Sequence, residues 1–155
     1  MNKRYLYFTI FSSGLTVLAL ELSAPRLLGR TFGTSNLVYS SIVGLILIFL
    51  TLGYFVGGRW ADRSPHPQTM YNILSWGAFS AGLIPVISSP VLRIAANAFD
   101  QLNVGILFGS FTAVLILFSL PITLLGMISP FAIRLAIQDA LQAGKIAGTI
   151  YAIST

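Results

Sequence analysis

An apolar run from Leu37 to Val56 flows without a formal charge into Gly57-Gly58-Arg59-Trp60-Ala61-Asp62-Arg63. About twenty uncharged residues is the length a helix needs to cross ~30 Å of hydrocarbon at ~1.5 Å per residue, so this segment sets the solvent of the whole chain. The abrupt arrival of Arg59, Asp62 and Arg63, beside Trp60, marks the return to water, because charges are costly in lipid and tryptophan favours the interface. Composition agrees: 55% of the residues are hydrophobic and 8% charged, too few charges to coat a water-soluble domain. The mean hydropathy is +0.85.

The same logic predicts an all-α, polytopic transmembrane helical bundle with four full spans and the start of a fifth. The spans are expected at about Tyr5–Leu22, Leu37–Val56, Met70–Leu92 and Val104–Leu125. Phe131–Leu141 reads as an interfacial amphipathic stretch, and Lys145–Thr155 as the start of a further apolar helix. That helix stops short of a membrane crossing, so residues 1–155 are expected to form a single transmembrane domain, the N-terminal part of a longer protein. Met1-Asn2-Lys3-Arg4 followed by apolar residues also has the outline of a signal peptide, but Glu21 beside the small-residue site fits a retained helix better.

The net charge of +5 comes from nine Lys and Arg scattered over the ends of apolar segments, which excludes the clustered basic face of a nucleic-acid binder. The charges instead orient the chain. With the N-terminus inside, Lys3, Arg4, Arg59, Arg63, Arg134 and Lys145 lie in the cytoplasm, and Arg26, Arg30 and Arg93 outside, six against three. The count places the N-terminus in the cytoplasm, and the expected location is a bacterial-type inner membrane, crossed several times.

Small residues recur at four-residue spacing: Ser40 and Gly44, Gly53 and Gly57, Gly105 and Gly109, Gly144 and Gly148. In lipid such spacing lets helix backbones approach, and it is read here chiefly as packing within the chain. Pro85, Pro121 and Pro130 are expected to kink or end their helices.

Glu21 is the acidic residue inside an apolar span, and an ionisable group there has either a structural or a transport role. Arg26 is its expected partner. Five positions on a straight helix set the two about 140° apart, so the pair requires Pro25 to bend the intervening turn or another helix to intervene. No catalytic site is expected. There is no cysteine, and the one histidine, His66, stands between Pro65 and Pro67 in a loop, so zinc, intramembrane haem and a Ser-His-Asp triad all lack their residues. No cofactor is expected either, since no glycine-rich loop joins a strand to a helix.

The segment Gly57 to Arg63 resembles the cytoplasmic loop after the second helix of major facilitator transporters, and the resemblance implies that Arg59, Asp62 and Arg63 form a latch that ties helix ends together by charge-assisted hydrogen bonds. A wider pattern comprises Glu21-x-x-Ala24-x-Arg26-Leu27, Phe32-Gly33-x-Ser35, Gly44, Gly53-Tyr54, Gly57-Gly58-Arg59-x-Ala61-Asp62-Arg63, Leu120-Pro121, Gly126, Pro130, Arg134 and Gly144-x-x-x-Gly148-x-x-Tyr151. It resembles the membrane region of spermidine-synthase-like membrane proteins, the fused major-facilitator/spermidine-synthase type. In that family an aminopropyltransferase domain follows the membrane helices. Residues 1–155 hold no such domain, so the resemblance implies a membrane module and not an enzyme. The expected role is an anchor or packing subunit in the lipid bilayer, with other membrane subunits or further copies of itself as partners. The alternatives are an accessory subunit of an energy-transducing membrane complex and half of a transporter for a polyamine or small cation.

Overall fold

The computed structural model describes residues 3–101, 106–137 and 143–154. Among these residues six helices follow one another: α1 (Lys3–Phe32), α2 (Asn36–Arg63), α3 (Pro67–Gln101), α4 (Ile106–Gly126), α5 (Ile128–Ala136) and α6 (Ala143–Ser154). Among the described residues there is no strand, as expected for backbone in hydrocarbon, where a helix satisfies its own N–H and C=O groups. Four stretches of the described residues are long and apolar enough to cross a membrane: Arg4–Phe32, Asn36–Arg63, Pro67–Asn97 and Phe108–Ala136. The chain is an all-α, multi-pass membrane protein.

The turns are short and chemically defined. Gly33 adopts φ +83°, a left-handed conformation that costs other residues steric strain, and its N–H donates to the Gly29 carbonyl at 3.1 Å to close α1. Two residues later Ser35 caps α2, its hydroxyl accepting from the Val38 N–H at 3.3 Å. Between α2 and α3 the Ser64 N–H donates to the Trp60 carbonyl at 2.9 Å, and Pro67 opens α3, where its missing donor is not needed.

The helices outrun the expected spans. α1 continues through Pro25 to Phe32, α2 runs through both glycines to Arg63, and α3 passes Pro85 and Pro90 unbroken. Pro121 likewise lies inside α4. The interruption falls at Met127, just before Pro130, whose absent N–H leaves the Gly126 carbonyl without its helical donor. The expected interfacial stretch therefore needs correction. α5 starts at Ile128, continues the fourth span, and buries Ile128, Phe131 and Ala132 in the bundle. Residues 138–141 of that expectation, like Val104 at the fourth span, lie outside the described residues.

Two apolar clusters show how the spans run. One joins Ala24, Leu28 and Phe32 of α1 to Val38 and Ile42 of α2, Leu92 and Ala95 of α3, and Ala113 and Leu117 of α4. The other joins Leu6 and Ile10 of α1 to Ala61 of α2, Met70 and Ile73 of α3, Phe131 of α5 and Ile150 of α6. Successive spans are thus antiparallel. Arg4, Arg59, Arg63, Arg134 and Lys145 gather at one end, and Arg26, Arg30 and Arg93 at the other.

Packing at the centre depends on two of the small residues. A Cβ on Gly53 would lie 2.5 Å from the Thr123 carbonyl oxygen, and one on Gly57 would lie 2.6 Å from Met127 Cα. Hydrogen as side chain is what lets α2 touch the α4–α5 junction. The Thr123 hydroxyl adds a bond to the Phe49 carbonyl at 3.4 Å. Gly44, Gly144 and Gly148 meet nothing within 4 Å, and Gly105 lies outside the described residues. Only part of the small-residue pattern packs within the chain.

Candidate functional site

Asp62 and Arg134 form an ion pair, Nε to Oδ1 at 3.2 Å, that links the end of α2 to α5. Both side chains are about half exposed or more, so the pair contributes roughly 0.2–1 kcal/mol and fixes register more than it stabilises. Asp62 thus meets a partner from the fourth span. Arg59 and Arg63 take no part in this pair. The Arg59 guanidinium lies 4.0 Å above the Phe55 ring, and Arg63 opens on the same cleft as Arg59. Trp60 meets Phe131 edge-on, with ring centroids 6.4 Å apart, so the aromatic boundary of α2 is pinned to the buried side of α5.

Glu21 and Arg26 are not brought together. α1 stays helical through Pro25, which leaves the two residues on different sides of one helix, and among the described residues neither finds an ion-pair partner. Arg26 is exposed near the end of the span, while Glu21 is half-buried well inside it. Tyr54 of α2 lies within electrostatic reach of both Glu21 and Tyr151 of α6. Polar groups from three helices therefore share one side of the bundle, where Tyr54 and Tyr151 are about half exposed. In the sequence Tyr54 and Tyr151 stand out only within the wider glycine-containing pattern. Nothing in their spacing ties them to Glu21, because three helices have to be packed before the neighbourhood exists.

At the opposite end Arg30 and Arg93 line a cleft of about 330 Å³ with Leu27, Thr31 and Ser88. Among the described residues no three His, Asp or Glu side chains converge as a metal site would require. His66 sits in the α2–α3 turn beside the Ser64 hydroxyl, 3.2 Å from its Nδ1. Compared with protein-family models, curated proteins and solved structures, the chain matches none.

Proposed function

We propose that this chain is an anchoring and packing module of a membrane assembly, which docks on further membrane-spanning helices through the side formed by α1, α2 and α6. One observation carries the reading. Glu21 stands inside a membrane span, partly exposed, with the Tyr54 phenol within electrostatic reach and, among the described residues, no ion-pair partner. A carboxyl group left against lipid is costly, and membrane proteins meet that cost by burying such groups against protein or a water-filled cavity. The open backbone at Gly144 and Gly148 adds room for close approach on α6. The resemblance to the membrane region of spermidine-synthase-like proteins points the same way, toward a helical unit that serves other parts of an assembly. The positive charges favour an orientation with the Arg59–Arg63 end in the cytoplasm.

Photo-crosslinking in intact membranes tests the reading. A photoreactive residue at Tyr54 is expected to give a polypeptide adduct, and one at Val86, 73% exposed on α3, lipid adducts alone. An interhelical polar contact is worth ~1 kcal/mol in a membrane, so Glu21→Gln should cut the Tyr54 adduct about fivefold. Lipid adducts alone at Tyr54 would refute docking on this side. A polypeptide adduct unaffected by Glu21→Gln, together with loss of cation uptake, would favour the transport alternative.

A further inference from the structure

We propose that the cleft at the end of α2 binds the headgroup of an anionic glycerophospholipid. The cleft, about 400 Å³, is lined by Phe55, Val56, Arg59, Trp60, Arg63 and Ser64. Residues four apart stand above one another on a helix, so the five that belong to α2 form two adjacent stripes, and Ser64, the residue after its end, closes the second. Phe55, Arg59 and Arg63 pass from aromatic to cationic along the first. Val56, Trp60 and Ser64 pass from aliphatic through an amphipathic ring to a hydroxyl along the second.

Both gradients run from the apolar core of the span toward its charged end, the order in which a lipid presents acyl chain, glycerol and phosphate. Phe55, Val56 and Trp60 are each 40% exposed or more, so an acyl chain can lie against them. The Arg59 guanidinium, held 4.0 Å over the Phe55 ring, is fixed at the level where the two regions meet. Two guanidiniums can each offer a fork of donors to phosphate oxygens. Charge selects the headgroup. Among the described residues no acidic side chain lines the cleft, and the neighbouring carboxylate, Asp62, is engaged by Arg134 on α5. A net negative headgroup is therefore preferred to a zwitterionic one. The inference rests on the chain's being a membrane protein and is independent of docking at Glu21.

Native mass spectrometry of the purified chain, exposed to equal phosphatidylglycerol and phosphatidylcholine, reads the preference directly. The wild type is expected to retain phosphatidylglycerol over phosphatidylcholine, and Arg63→Gln or Arg59→Gln to lower that ratio about fivefold each, the worth of one cation near a membrane surface. Arg63→Lys should retain more of the ratio than Arg63→Gln. Lys145→Gln removes a charge from the same end but outside the cleft, and should leave the ratio unchanged. Soluble glycerol 3-phosphate should not displace the lipid, because it lacks the chain that Phe55 and Val56 receive. Three results would overturn the proposal: no preference in the wild type, equal loss in Lys145→Gln and Arg63→Gln, or displacement by glycerol 3-phosphate.

Discussion

Gly57→Ala is expected to destabilise the bundle by about 2 kcal/mol, although alanine is the better helix former. The added Cβ would stand 2.6 Å from Met127 Cα and 2.8 Å from its Cβ, and these atoms belong to the fixed start of a helix rather than to the tip of a side chain. Relief requires α2 to move away from the α4–α5 junction, and overpacking of this kind costs up to ~3 kcal/mol. The helix-propensity gain of ~1 kcal/mol offsets part of that. Gly57→Leu has more to accommodate and should be worse. Gly44→Ala is the matched control: nothing lies within 4 Å of its position, so the propensity gain stands alone and stability should not fall. Unfolding monitored by circular dichroism in detergent separates the two. Equal behaviour of Gly44→Ala and Gly57→Ala would mean that α2 does not pack here as described.

Phe131→Ala is expected to have a comparable effect by the opposite route, a void instead of a clash. Phe131 is fully buried where α5 meets α1, α2, α3 and α6, and Trp60 packs edge-on against it. In a water-soluble core the change costs roughly 3–5 kcal/mol, of which about 2 kcal/mol is transfer of the ring from water. Lipid solvates that ring nearly as well as the bundle does, so the lost packing remains, about 2 kcal/mol. Val86→Ala, at an exposed position of α3, should cost little under the same conditions. A Phe131→Ala protein as stable as Val86→Ala would place α5 outside the bundle, at the interface where its amphipathic sequence first suggests it belongs.

That misplacement shows where sequence and structure part. Hydrophobic length identifies the four spans, because in hydrocarbon a run such as Leu37–Val56 has essentially one backbone solution. Their ends are less legible. Gly57-Gly58-Arg59 looks like the exit of a helix, yet α2 continues to Arg63, since Gly57 is placed for contact with Met127 and not for a turn. Pro25 looks like a hinge that could swing Arg26 toward Glu21, and α1 instead remains helical and keeps them apart. Local signals were sufficient where the cap chemistry is local, as at Gly33 and Ser35. Pairings across helices were not: Asp62 with Arg134 and the neighbourhood of Glu21, Tyr54 and Tyr151 depend on tertiary packing that periodicity does not encode.

The antiparallel arrangement of four spans is what separates the two arginine-bearing ends of this chain. The sequence contains no cysteine, so single cysteines can be introduced without a background. Thr34→Cys marks the α1–α2 turn and His66→Cys the α2–α3 turn, and both positions are exposed. In sealed, right-side-out vesicles a membrane-impermeant thiol reagent is expected to label the cysteine at position 34 at once, and that at position 66 only after the membrane is opened. Labelling of both positions from the same face would contradict the arrangement.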